Sequence, residues 1–318
     1  MRMIDPVSYV RQRVAACVHL GVRALETILH LGVHRTATTT FQDYLDRNVA
    51  RLEGSGVAVW TPSAIRGGLF SGMVRPPHET SVVVERSTHL IGLTCARLRR
   101  KNTRQLIVSE ENMIGTIRVN LRSQSLYSEL TPRLARFGKA FGHSCDRILL
   151  SIRSYETFWA SSIAFGATTG FPALDEQARM RIVAHPRGWR DVIKEIHALF
   201  PKAEISVLPY EAFGGNVGET LDAATGYRGL SAGMVDQPVR HNESPAGRAS
   251  PFDTQTQLNF RRRYDKDLAW LANGGGGFAR LLAPQSQTDM DEIGTERLAT
   301  IQRGAMTGGH YGTIRRME

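Results

Sequence analysis

Cysteine is scarce in these 318 residues: Cys17, Cys95 and Cys145 are the only three. They are far apart, odd in number and without the paired spacing of a zinc site. Neither a disulfide framework nor a cysteine metal centre is therefore expected, and a reducing, cytoplasmic setting is the simplest reading. Long apolar runs are missing as well. None reaches the ~18 residues a membrane-spanning helix needs. The nearest approach to a leader peptide, Val14 to Val22, is interrupted by His19 and followed directly by Arg23. Residues 1–25 read instead as an amphipathic helical extension. There is no internal repeat and no recognised nucleic-acid module. The basic run Arg97-Leu-Arg-Arg-Lys101 lacks interleaved aromatics for base stacking and reads as a solvated helix end, so nucleic acid is not an expected partner.

What the chain does have is ordinary globular composition and an excess of positive charge. Hydrophobic residues make up 42%, enough to bury a sizeable core over this length. Forty Lys and Arg against 30 Asp and Glu give a formal net charge of +10, which favours anionic ligands without choosing among them.

Strand and helix patterns alternate along the chain. Thr27 to Val33 reads as a buried strand, and a helix begins at about Thr38 with Phe41, Tyr44, Leu45 and Val49 on one face. A short strand follows over 56–62, then a polar, glycine- and proline-rich loop over 63–82, and a helix over 88–101. Next come the strand Gln105-Leu-Ile-Val-Ser-Glu-Glu-Asn112, a helix near 123–141 and the strand Arg147 to Arg153. The helix after it carries Tyr155, Phe158, Trp159 and Ile163 on one face, and residues 167–187 read as irregular. An amphipathic helix over 188–200 is stopped by Pro201, and Glu204 to Glu211 reads as the final strand. A polar, glycine-rich stretch over 214–252 has Arg240 to Pro245 in its middle; a helix over 253–273 follows, and residues 284–318 read as a loosely held tail. The alternation predicts an α/β fold, a parallel sheet flanked by helices on both faces, over 26–283.

Ligands of open parallel sheets bind beyond the carboxyl ends of the strands. Three predicted strands end there in reactive residue types. At the first, Gly32, His34, Arg35, Thr36, Ala37, Thr38, Thr39 and Thr40 form a small-residue turn opening a helix. The unpartnered amides and partial positive charge of a helix N-terminus suit a phosphate or sulfate there. A Walker A loop would place its second glycine at Ala37 and its lysine at Thr38, so that lysine is missing and the cation sits earlier, at Arg35. The second exit supplies Glu110 and Glu111. The third supplies Arg153, with Ser161 two helical turns further on.

The first loop resembles the 5′-phosphosulfate loop of sulfotransferases that use 3′-phosphoadenylyl sulfate (PAPS), roughly G-x-x-[KR]-[ST]-[GA]-[ST]-[ST]. Arg35 stands where that family usually has Lys, and Ala37 where it usually has Gly. Arg153 to Ser161, R-x₇-S around an aromatic-rich helix, resembles the family's 3′-phosphate element. Ser109, Glu111 and Asn112 are similar to a Ser-x-Glu-Asn sequence of bacterial members, and weaker likeness extends over roughly 26–275. The resemblance implies a P-loop, nucleoside-kinase-like sulfotransferase fold that binds PAPS and its product adenosine 3′,5′-bisphosphate (PAP). It further implies transfer of the sulfuryl group to a hydroxyl-bearing small molecule or glycan, a carbohydrate or glycolipid, with no metal required.

On this reading Glu111, ahead of Glu110, is the general base, with His34, His78 and His89 as fallbacks, and Arg35 contacts the phosphosulfate. A guanidinium holds its proton at any working pH, so proton donation from the family's lysine has no counterpart at Arg35. Two other readings stay open: a P-loop nucleotide or small-molecule kinase, and a nucleotide-binding protein with weak catalysis or none.

Overall fold

The central strands of the sheet are short, mainly apolar runs buried on both sides, as parallel sheets require, whereas the edge strand Ala279–Leu281 exposes Arg280. In the computed structural model, which describes residues 24–76, 81–142, 145–235 and 250–284, six parallel strands pair in the order β2-β3-β1-β4-β5-β6. They are β1 (Glu26–His30), β2 (Val57–Trp60), β3 (Gln105–Ser109), β4 (Arg147–Ile152), β5 (Glu204–Pro209) and β6 (Ala279–Leu281). In register, Leu29 stands beside Val108 on one side and Ile148 on the other.

Successive side chains point to opposite faces, and each face has its own core. Ile28, Ile107, Leu149 and Leu208 pack with α1 (Thr38–Arg47), α2 (Val49–Gly54), α10 (Tyr210–Phe213) and α11 (Val217–Thr225). Leu29, Leu106, Val108, Ile148, Leu150 and Val207 face a larger cluster on the other side. That cluster draws on α4 (Ser81–Arg100), α5 (Ile117–Ser123), α6 (Leu130–Ala140), α7 (Tyr155–Thr168), α8 (Glu176–Ala184), α9 (Trp189–Leu199) and α12 (Thr254–Ala272). The α/β architecture with helices on both faces is therefore as the alternating patterns indicate. Residues through Leu282 belong to one compact unit, and a second begins at Ala283.

An aromatic layer on the larger face carries the site. Trp189, wholly buried, stacks on Tyr155 with centroids 5.8 Å apart and meets Phe158 edge-on at 5.3 Å. Its Nε1–H donates to the carbonyl of Arg153 at 2.7 Å, and its backbone N–H donates to the Tyr155 hydroxyl at 2.7 Å. The spacing of Trp189, Val192, Ile193 and Ile196 that predicts α9 thus also fixes the residue at the β4 exit.

Several boundaries differ from the sequence reading. The helix expected near 123–141 starts only at Leu130, as α6, and is preceded by α5, which ends at Ser123; Gln124 (φ 50°) and Tyr127 (φ 46°) take left-handed backbone between the two. The stretch 167–187 holds α8, started by the Asp175 carboxylate capping Ala178 N–H at 2.7 Å. Only Ala178 and Ile182 of that helix are buried, so it has almost no apolar stripe to read. The polar 214–252 stretch contains α11, and the loop over 63–82 starts with the short helix α3 (Pro62–Ile65) and ends in α4. Glu204–Pro209 is not the last strand, since β6 pairs with it at Ile205 and Ala279. The expectations for residues 1–23, Cys17, His78, Arg240 to Pro245 and the tail beyond 284 lie outside the described residues.

Candidate functional site

The chain leaves β1 towards β2 on one side of the sheet and leaves β4 towards β5 on the other. Adjacent parallel strands whose exits diverge open a crevice at their carboxyl ends. The loop over 31–37 and Arg153 are the two lips of that crevice.

The loop is held tightly against β4. Val33 N–H donates to Ser151 O at 3.1 Å, and Ser151 N–H donates to Gly32 O at 2.5 Å. Thr36 Oγ1 and Thr38 Oγ1 both donate to the carbonyl of Val33, at 2.6 and 2.8 Å, folding the turn onto itself. Both threonines are buried, as is Thr40, while Thr39 is exposed. Gly32 (φ 78°), Arg35 (φ 66°) and Ala37 (φ 59°) are left-handed. Gly32 is also required by close approach, because a Cβ there would lie 3.0 Å from Glu111 Cβ. No side chain caps α1, so its first-turn N–H groups are left to an anion or solvent.

The two lips are joined through their arginines. Arg35 Nε donates to Ser161 Oγ at 2.8 Å, with its guanidinium 5.2 Å from the centroid of Phe165. Arg153 Nη1 donates to the carbonyl of Arg35 at 2.7 Å and its Nε to Thr157 Oγ1 at 3.0 Å, while its guanidinium lies over the Tyr210 ring at 4.6 Å. Burial lowers the pKa of Arg35 from its usual value, and the nearby Arg153 charge lowers it further. Burial likewise lowers that of Arg153, partly offset by Tyr210, Glu211 and Glu156. An anion placed between such cations relieves their repulsion and gains charge-assisted hydrogen bonds.

The carboxylates stand on the other side of the loop. Glu110 is fully buried and gripped in a fork by Arg66, Nε to Oε2 at 2.7 Å and Nη2 to Oε1 at 2.6 Å, with Asn112 N–H donating at 3.0 Å. Burial raises its pKa, and the Arg66 fork pulls the other way. Glu111 accepts from Gln42 Nε2 at 2.8 Å and from Arg66 Nη2 at 3.2 Å. Burial pushes its pKa up, but the Gln42 hydrogen bond, its own backbone N–H and the Arg66 charge pull it down and hold the carboxyl below the usual range. An ionised carboxylate beside an anion loop has the right form to accept a proton.

Of the residues singled out from the sequence, Gly32, His34, Arg35, Thr36 and Ala37 lie in the turn after β1, and Thr38, Thr39 and Thr40 open α1. Arg35, Arg153 and Ser161 are brought into contact, and Glu111 packs against Gly32. Glu110 points away from the loop into the Arg66 fork. His89 is exposed and bonds within α4, to Glu85 O at 3.1 Å. The sequence reading passed over Gln42, Arg66, Thr157, Tyr127 and Tyr210. Gln42 carried a signal: it sits beside Phe41, Tyr44 and Leu45 on the buried face of α1, where a lone amide needs a partner. Among the described residues there is no group of three His, Cys, Asp or Glu that could hold a metal ion, and no helix long and apolar enough to cross a membrane. No family model matches the chain, and neither a curated protein nor a solved structure is significantly similar to it.

Proposed function

We propose that this chain is a sulfotransferase that moves the sulfuryl group of PAPS to a hydroxyl, on a P-loop, nucleoside-kinase-like fold. The observation that carries the reading is the contact between its two anion elements. Arg35 from the first loop bonds Ser161 of the R-x₇-S element, and Arg153 of that element bonds the carbonyl of Arg35. Elements far apart in sequence thus converge on one crevice, as a ligand with two anionic groups would need.

On this geometry we reassign one role within the proposal. With Arg35 tied to Ser161, both guanidiniums serve the 3′-phosphate side. The 5′-phosphosulfate then falls to the amide N–H groups at the start of α1. In the reaction the acceptor oxygen forms its bond to sulfur as the bond from sulfur to the 5′-phosphate oxygen breaks. Glu111 takes the acceptor proton and PAP departs as an anion. Charge building on the departing phosphate is met by oriented amides, and the contribution of the protein is mainly positioning and electrostatics. Glu110, buried in its fork, holds Arg66 rather than touching the acceptor. The acceptor is a hydroxyl-bearing small molecule or glycan, and the setting cytoplasmic.

One observation favours a second reading, nucleotide binding with weak turnover: both oxygens of Glu111 are already engaged, by Gln42 and by Arg66. Calorimetry with PAP, 5′-AMP and Mg-ATP tests the proposal. PAP should bind at least tenfold more tightly than 5′-AMP, about 1.4 kcal/mol, and Arg153→Ala should erase the preference. Tighter binding of Mg-ATP than of PAP would overturn it in favour of a kinase.

A further inference from the structure

Tyr127 is an unusual residue to find wholly buried in a connection. Its backbone is left-handed (φ 46°), and its N–H donates to the Asn120 carboxamide oxygen at 2.9 Å. Its ring closes on Gly115, where a Cβ would lie 3.0 Å from the tyrosine Cδ1. So constrained, its hydroxyl is delivered to the anion loop, 3.1 Å from both the backbone nitrogen and the Nδ1 of His34. The two rings stack with centroids 5.9 Å apart.

The protons in this contact can be counted. The backbone N–H of His34 can only donate, so it uses a lone pair of the phenol oxygen. The buried hydroxyl needs an acceptor for its single proton, and among the described residues Nδ1 is the acceptor within reach, so Nδ1 takes it. Nε2 therefore carries the ring proton and donates it to Asn112 Oδ1 at 3.2 Å. Asn112 N–H donates to Glu110, and Arg66 donates to both Glu110 and Glu111. Donors thus run in one direction from Tyr127 through His34 and Asn112 to Glu110, and Arg66 joins the two carboxylates.

We propose that Tyr127 is a positioning residue: its hydroxyl fixes His34 as the neutral, Nε2-protonated imidazole and so sets the anion loop and the carboxylate pair in register with each other. The tautomer stands on geometry alone, whereas the consequence for nucleotide rests on the sulfotransferase reading. The charged groups facing His34 are Glu111, Arg66 and Arg35. Burial, the largest influence, lowers its pKa and keeps the ring neutral.

The test is ¹⁵N NMR of the His34 ring together with PAP calorimetry. Wild type should show one tautomer, protonated at Nε2, from pH 6 to 8. Tyr127→Phe should populate both tautomers and weaken PAP about tenfold, the scale of one lost hydrogen bond. Asn112→Ala, which leaves the aromatic core untouched and removes the acceptor at Nε2, should keep the Nε2–H tautomer because Tyr127 still donates to Nδ1. It decides the matter if Tyr127→Phe does not fold. A single unchanged tautomer and unchanged affinity in Tyr127→Phe, or a mixture of tautomers in Asn112→Ala, would overturn the proposal. Failure of wild type to bind PAP would remove the sulfotransferase reading, and the tautomer populations would still decide whether Tyr127 sets the ring.

Discussion

Replacing Arg66 by Met isolates what it costs to bury Glu110. The Glu110 side chain has no exposed surface and receives three donors, two of them from Arg66 at 2.7 and 2.6 Å. Removing one partner of a fully buried ion pair costs about 3–5 kcal/mol, because the other charge is stranded. Arg66 is 42% exposed, so part of its attraction is already screened, and about 2–3 kcal/mol at pH 8 is the better expectation. The loss should depend on pH in a definite direction. Burial already raises the pKa of Glu110, and without Arg66 it rises further. A group with a raised folded pKa contributes stability below its unfolded value and loses it as pH rises through the folded one. The deficit of Arg66→Met should therefore be small near pH 5 and grow towards pH 8 in urea titrations. Arg66→Met with Glu110→Gln should recover most of it, since a neutral amide needs no counter-ion. An equal deficit at both pH values, or strict additivity of the two substitutions, would refute the account.

Two further outcomes follow from the same site. Glu111→Gln keeps a hydrogen-bonding group between Gln42 and Arg66 but cannot take a proton. PAP affinity should stay within about twofold while sulfuryl transfer falls by the 10²–10⁴ typical of a lost general base, and equal loss of both would make the residue structural. His30 is 2% exposed, has Nδ1 2.7 Å from Ser109 Oγ, and has its pKa lowered by burial from 6.5 to about 4. A histidine depressed in this way contributes stability above its unfolded pKa and loses it as pH falls towards 4, a change of roughly 3 kcal/mol. The stability of His30→Gln between pH 7 and 4 should be flatter than that of wild type, and an identical slope would exclude this role.

How much could be read beforehand depended on whether a feature advertises itself locally. The strand Arg147–Ile152 carries the apolar run Ile148-Leu-Leu150, and α9 repeats its apolar residues every three to four positions, so both were legible. The helix α8 was not, because it buries two small patches and depends on an Asp175 cap that looks like any loop aspartate. The split between α5 and α6 hides for a different reason. It rests on left-handed Gln124 and Tyr127, residues that nothing in the sequence marks for such backbone. In the site, the loop and the Arg153 element could be named because their residues cluster in sequence. Arg66 could not, since it lies in a polar stretch among glycines and acquires meaning only when β3 delivers Glu110 to it.

The missing lysine gives these contacts a common logic. A lysine at position 35 would offer a compact, freely rotating charge, whereas a guanidinium has a fixed fork and a weakly hydrated face. Arg35 uses both, one N–H on Ser161 and its face towards Phe165. The chain thereby draws its first-loop cation to the β4 side, beside Arg153, and leaves the α1 amides as the main donors in the loop itself. Folding two like charges together is unfavourable, and a dianion between them returns that cost on binding. A site built this way distinguishes ligands by their second phosphate more than by their first. On the sulfotransferase proposal, selectivity for PAP over 5′-AMP would report directly on the arginine pair and turnover on Glu111 across the loop.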